Sequence, residues 1–322
     1  MGTVPITPIR SVETVSFYAD AALPIICYNS LYKELGLDME PGKHSYMAEG
    51  TALLRAAHQV LDADPKILED PLALTLLGAN TQELVEADLE RQQSVYLRNA
   101  RTFAVMRSRY VDDELSAALE REVKQYVILG AGLDTTPYRA SHASHELATF
   151  EVDHPDTQRW KLEKLDQAGI RIPANLRHVA IDFEEQSLAE GLAASGFDTD
   201  VPSFFSWLGV TYYLTPDSVF DTFRFVSKMP PASQITFDFT LADSELDAAG
   251  LEGYAMVARH LEKHGEPWLA RFAPGKLAED LRALGFGEVS YFSQEMAWER
   301  YLKDRTDGLS LNPMMQLMSA IV

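Results

Sequence analysis

One cysteine, Cys27, stands in the 322-residue chain, which excludes an internal disulfide and a thiolate metal cluster. A single thiol of this kind reads first as a small buried hydrophobe rather than a reactive group. No stretch approaches the roughly 20 apolar residues of a membrane span. The N-terminus lacks a charged start followed by an apolar run, so no secretory leader is read there and a cytoplasmic protein is expected. Basic charge is scarce: 28 Lys and Arg face 48 Asp and Glu, for a net charge of -20. With no local basic patch to override that balance, tight contact with nucleic acid is not expected. No metal site is expected either.

The 46% hydrophobic content is enough for a sizeable core. Residues 1–50 are mixed and aromatic, with prolines at 5, 8, 24 and 41, and read as an N-terminal arm or helical cap. From Met47 to Gln59 apolar residues recur near helix spacing. Asp62-Ala63-Asp64-Pro65 breaks that helix, and Asp70-Pro71 opens a short one through Leu77, proline being tolerated in a first turn. A longer helical region follows over roughly 81–120, carrying Arg98, Arg101, Arg107 and Arg109. After Gln125 the texture changes to strand-length apolar runs at 126–130, 148–152, 177–181, 203–209 and 234–239, alternating with helical stretches. That alternation predicts an α/β fold, a parallel sheet with helices on both faces. A helix over 276–284, a strand from Glu288 to Phe292 and an apolar tail from Leu317 to Val322 suit a closing antiparallel pair at a sheet edge. The division expected is an arm and helical cap over 1–120 and a ligand-binding core over 121–322.

Tyr126-Val127-Ile128-Leu129-Gly130-Ala131-Gly132 reads as a buried strand entering a tight glycine turn. About twenty residues on, a second strand ends in acids, Phe150-Glu151-Val152-Asp153. Glycines let backbone approach a ligand, and a carboxylate at the next strand tip can take ribose hydroxyls. The dinucleotide version of the turn needs a third glycine at 135, where Thr135 stands. A pyrophosphate cradle is therefore not supported, and a ligand with ribose but no phosphate, S-adenosylmethionine (SAM), fits better. Glu151 and Asp153 lie two apart and point to one face of a regular strand, so either could take the ribose. Asp182, at the end of a third strand, could accept from an adenine amino group with Phe183 beside it, or could cap the next helix. Trp207, Gly209, Thr211 and Tyr212, near the end of the fourth strand, would face the reacting end of a ligand, since strand C-termini form the floor of such sites; for any single aromatic, core packing competes with that role. Arg107 could grip a carboxylate with two parallel hydrogen bonds, or be an exposed helix arginine in an acidic protein.

Leu129-Gly130-Ala131-Gly132-Leu133-Asp134-Thr135-Thr136-Pro137-Tyr138-Arg139, with Phe150-Glu151-Val152-Asp153-His154-Pro155 at its distance, resembles the motifs of the leucine carboxyl methyltransferase-like family of class I SAM-dependent methyltransferases. Trp207-Leu208-Gly209-Val210-Thr211-Tyr212-Tyr213-Leu214-Thr215 resembles the fourth-strand motif of a bacterial O-methyltransferase branch, which includes polyketide-type members. Supporting patches run from about residue 50 to the C-terminus. The resemblance implies a Rossmann-like, mainly parallel seven-stranded sheet with an N-terminal helical cap. It implies SAM contacts at Gly130, with Gly132 beside it, a ribose acid at Asp153 rather than Glu151, and an adenine-side pair at Asp182 and Phe183. It implies a carboxylate-binding arginine at Arg107, with Arg109 the alternative, and a further basic contact at Arg55. Members that methylate a protein phosphatase carry a glutamate on the fourth strand, where this chain has Leu208. That departure favours a small-molecule acceptor over a protein C-terminus.

Methyl transfer from SAM is an in-line displacement in which the protein places the acceptor oxygen and excludes water. A carboxylate acceptor needs no base; a hydroxyl is helped by one. His44, His58 and His154 are the candidate bases, and Tyr46, Tyr212 and Tyr213 the candidate orienting groups, none singled out by spacing. The competing expectations are an NAD-dependent oxidoreductase on a similar sheet and a SAM-binding module without catalysis.

Overall fold

Seven short runs rich in β-branched and aromatic residues pair into one sheet: β1 (Gln125–Leu129), β2 (Ala148–Asp153), β3 (Leu176–Ala180), β4 (Ser203–Trp207), β5 (Gln234–Thr240), β6 (Glu288–Phe292) and β7 (Met315–Ile321). Their order is β3-β2-β1-β4-β5-β7-β6. The first five run parallel, and β7 inserts antiparallel between β5 and β6. The computed structural model describes residues 46–139, 147–183, 185–263, 267–311 and 313–322. Cys27, His44 and the arm's prolines lie outside the described residues, as does the Tyr46 side chain.

The helices are α1 (Tyr46–Leu61), α2 (Pro71–Leu77), α3 (Thr81–Ala87), α4 (Leu89–Gln92), α5 (Val95–Glu120), α6 (Pro155–Gln167), α7 (Leu188–Ala194), α8 (Pro216–Val226), α9 (Ala248–Lys263), α10 (Pro274–Leu284) and α11 (Gln294–Ala297). Many start where the chain supplies a local acceptor for free N–H groups. Ser94 accepts from Leu97 N, Thr215 from Ser218 N, and Ser187 forms a reciprocal capping box with Glu190. The helical region expected over 81–120 is three helices rather than one. Asp88 interrupts it by holding the Arg91 and Gln92 side chains, and Ser94 restarts it.

The two faces of the sheet pack differently. Val127 and Leu129 of β1, Phe205 and Trp207 of β4 and Ile235, Phe237 and Phe239 of β5 join the large core under α8 and α10. On the opposite face, Tyr126, Ile128 and Phe204 meet Val111, Leu115 and Ala118 of α5. The period-two alternation of buried strands thus serves two helix layers. The boundary expected between residues 120 and 121 falls in the turn after α5, and α5 itself lies directly on the sheet. No helix among the described residues is long and apolar enough to cross a membrane.

Phe223 is fully buried on α8, with ring centroids 4.8 Å from Phe237 and 5.7 Å from Trp207. Phe223→Ala removes that ring from a packed core and is expected to cost about 3–5 kcal/mol. Urea unfolding followed by tryptophan fluorescence measures the loss; a change below about 1 kcal/mol, an ordinary surface-like value, would contradict this packing.

Candidate functional site

Leu129 at the end of β1 lies in register with Val152 of β2 and Trp207 of β4, so three strand tips meet where the glycine turn begins. Gly130 (φ +66°) and Gly132 (φ +42°) take left-handed backbone that only glycine adopts without strain. The N–H groups of Gly130 and Ala131 both reach Val152 O, at 2.9 and 3.1 Å, which folds the turn back over β2. A Cβ on Gly130 would collide with Val210 Cγ2, and one on Gly132 would lie 3.1 Å from Ala48 Cβ of α1. The turn is thus closed in by α1 and by the segment after β4.

Asp153 Oδ2 accepts from Gly132 N at 2.6 Å, and its Oδ1 accepts from His154 N at 2.7 Å. Burial raises this carboxyl above its ordinary range, and the two N–H donors oppose that rise. Each carboxylate oxygen retains a second lone pair for a ligand hydroxyl. Glu151, the other member of the pair, is 1% exposed. It holds Lys161 Nζ of α6 at 2.7 Å and accepts from the Tyr138 hydroxyl at 3.1 Å. Burial pushes its carboxyl up to about 6 against the pull of Lys161.

β3 ends at Ala180, so Asp182 and Phe183 stand in the loop beyond it. The Asp182 side chain is 37% exposed and Phe183 63% exposed. The alternative role of helix cap falls to Ser187, not to Asp182. His154 occupies the N-cap of α6, its Nδ1 accepting from Asp156 N at 3.2 Å, with Nε2 3.9 Å from Asp182 Oδ2. The sheet order sets His154 at the β2–β3 end of the site and Tyr212 at the β4–β5 end. His58 is fully buried away from both, between Asp62 (2.7 Å) and Ile67 N (3.1 Å).

Arg107 is 7% exposed, which corrects the reading of an exposed helix arginine. Its Nη1 donates to Asp238 Oδ2 of β5 at 2.6 Å and approaches the Tyr212 hydroxyl at 3.4 Å. Burial alone would lower the guanidinium's pKa; Asp238 and Tyr212 more than offset that, and Arg107 stays charged. Gly209 (φ +78°) passes so close that a Cβ there would lie 3.1 Å from Arg107 Nη2. Arg107 Nε and Nη2 have no hydrogen-bond partner among the described residues. Arg109 points elsewhere, pairing with Asp113 at 2.8 Å with its side chain 45% exposed. Arg55 of α1 donates to Leu133 O of the turn at 2.6 Å and to Asp70 at 2.9 Å. Trp207 is 2% exposed and sits edge-on against Phe223, so its indole belongs to the core and only the strand end borders the site. Tyr212, by contrast, begins an aromatic group with Tyr213 (4.7 Å between centroids) and Trp268 (5.2 Å), which continues to Tyr254.

Asp238 escaped the sequence reading. Its signal was the alternation of β5: Ile235, Phe237 and Phe239 apolar, Gln234, Thr236, Asp238 and Thr240 polar, every one buried. A strand buried on both faces has no solvent for an acid, so an acid there implies a partner.

The profile of the family described as "Leucine carboxyl methyltransferase" matches residues 48–227. A Bacillus subtilis (strain 168) protein assigned as an S-adenosyl-L-methionine-dependent methyltransferase is 35% identical over 209 residues, 63% of this chain and 67% of that protein. One from Mycobacterium avium (strain 104) with the same assignment is 33% identical over 198 residues, 59% of this chain and 65% of that protein. The chain thus spans about two thirds of the length of the curated relatives it matches. A solved structure assigned as a methyltransferase from Thermobifida fusca YX is similar in fold, with a TM-score of 0.55 at 16% identity over 89% of this chain and 97% of that one.

Because Glu151 titrates near 6 when folded and near 4.5 when unfolded, the folded chain holds a proton there that the unfolded chain has released. This site's contribution to stability is whole below pH 4.5 and is lost as pH rises through about 6. Glu151→Gln is therefore expected to flatten the pH dependence of unfolding free energy in that window. Urea titrations at pH 4.5 and 6.5 compare the two chains, and equal slopes would rule out the assignment.

Proposed function

The chain belongs to the leucine carboxyl methyltransferase family of SAM-dependent methyltransferases, and on that premise we propose that it transfers the methyl group to a carboxylate or hydroxyl oxygen of a small molecule. One observation carries the site assignment: the glycine turn, Asp153 and the partner-free edge of Arg107 converge at neighbouring strand tips.

The residues fit the cofactor. Gly209 leaves uncovered a cradle that a Cβ would fill, beside a charged guanidinium whose Nε and Nη2 can take an amino-acid carboxylate in parallel. Asp153, locked to Gly132 N, can accept from ribose hydroxyls without moving. Asp182 and Phe183 stand accessible past β3 for the adenine, with β2 and β1 between them and the β4–β5 end where Arg107 lies. Arg55 braces the turn through Leu133 O and is a supporting residue for the loop. When bound, SAM supplies a sulfonium-activated methyl group that an oxygen nucleophile can displace in line.

Tyr212, Tyr213, Trp268 and Tyr254 wall the β4–β5 end, where the acceptor would lie. Such a wall holds the acceptor oxygen against the methyl and keeps water out. Leu208 supports a small-molecule acceptor, because the phosphatase-methylating members that this chain resembles place a carboxylate at that point. Tyr212 is the candidate orienting group, since its hydroxyl already approaches Arg107; His154, the candidate base nearest the turn among the described residues, already serves as a helix cap.

Calorimetry with SAM and S-adenosylhomocysteine tests the pocket, and a labelled-methyl screen over carboxylic acids, phenols and hydroxylated polyketides tests the acceptor, with ester told from ether by product analysis. Asp153→Ala is expected to weaken SAM binding by about 1–3 kcal/mol through lost charged hydrogen bonds. An unchanged dissociation constant would remove Asp153 from the site.

A further inference from the structure

A polar seam runs between α5 and β5 inside the protein. On the helix, Arg107, Tyr110 and Glu114 follow one face, continued by Arg121 at its C-terminal end. On the strand, Gln234, Thr236 and Asp238 occupy alternate positions, each 0% exposed. Gln234 bonds Glu114 (2.6 Å) and Arg121; Thr236 bonds Ser319 of β7 (2.8 Å), which meets the Tyr110 hydroxyl (3.1 Å). Asp238 meets Arg107 at the end nearest the strand tips. The rest of the seam joins helix to sheet, whereas its last pair opens on the site.

Asp238 uses both carboxylate oxygens there. Oδ2 takes Arg107 Nη1, and Oδ1 takes Gly209 N at 2.8 Å. The carboxylate therefore sets two things together: the rotamer of the arginine, and the position of the glycine that passes 3.1 Å from Nη2 at its virtual Cβ. With Nη1 engaged, the edge left to a ligand is Nε and Nη2, the geometry of a bidentate carboxylate grip. We propose that Asp238 is a positioning residue for the methyl donor, orienting Arg107 and Gly209 so that the Nε–Nη2 edge receives the amino-acid carboxylate of SAM. This rests on the SAM reading of the site. Asp238 also draws charge from Arg107, an effect that by itself would weaken the grip; the proposal requires orientation to outweigh that competition.

The test uses two ligands with the same nucleoside and sulfur: S-adenosylhomocysteine, which keeps the amino-acid group, and methylthioadenosine, which lacks it. In Asp238→Asn the amide oxygen can still accept from Gly209 N, but its NH2 faces Arg107 donor to donor. Calorimetry on the full chain is expected to show about 10- to 100-fold weaker S-adenosylhomocysteine binding. Methylthioadenosine should hold within about twofold. Equal losses on both ligands would mean a merely structural acid, and no loss or a gain for S-adenosylhomocysteine would mean that charge competition governs; either overturns the proposal. Should Asp238→Asn not fold, Arg107→Gln, which leaves the Asp238 carboxyl without its cation, is compared with Arg107→Gln/Asp238→Asn, which removes both charges. Equal S-adenosylhomocysteine binding by these two, within about twofold, is expected if Asp238 acts through Arg107, and a further loss in the double variant overturns it. A wild-type chain that binds neither ligand sinks the SAM reading itself and this proposal with it.

Discussion

The Arg107–Asp238 pair is the constraint on which the site depends. Both side chains are withdrawn from water, and a buried charge is tolerated only with a counter-charge and filled hydrogen bonds. Asp238 meets that demand by taking Arg107 and the Gly209 N–H together, which ties α5, β5 and the segment after β4 at one point. Removing either partner would leave the other charge buried alone. Among the described residues the same pairing leaves Nε and Nη2 of the guanidinium without a partner, the edge proposed to take the SAM carboxylate.

At the other side of the turn a similar logic operates with different groups. Asp153 is held by Gly132 N and His154 N, while Glu151 two residues earlier is spent on Lys161 and Tyr138. One strand thus carries a carboxylate committed to the scaffold and another poised at its tip. Asp134 belongs to this group: burial raises its carboxyl, but Arg55, Lys161 and the Thr136 N–H hold it below the ordinary range. Opposite charges thus gather beneath the turn, and no metal-binding cluster stands among the described residues.

Where the sequence reading and the structure part, burial is the reason. From its own residues Arg107, in a chain of net charge -20, could equally be a solvated helix arginine, because its partner lies 131 positions away on β5. Trp207 reads as a site residue because it ends a strand, but strand alternation turns its indole toward Phe223. The stretch over 81–120 looks like one helix until Asp88 and Ser94 are seen to spend their side chains on local hydrogen bonds.

The sequence by itself determined the strands to within a few residues, the helices at 46–61, 71–77 and 274–284, the closing antiparallel pair at the sheet edge and the glycine turn with its trailing acid. Those signals are local: periodicity, apolar runs, glycines that need positive φ and a carboxylate at a fixed distance. Its likeness to a family added the expected roles of Arg107, Asp153 and Asp182 toward the ligand. The tertiary structure supplied the physical grounds: Glu151 is tied to Lys161 while Asp153 stands at the strand tip, Arg107 rather than Arg109 turns inward, and Asp238 of β5 meets it there. Each of these is a choice of partner across strands or between helix and sheet, made by burial and charge pairing between residues far apart in the chain. No local pattern encodes such a choice.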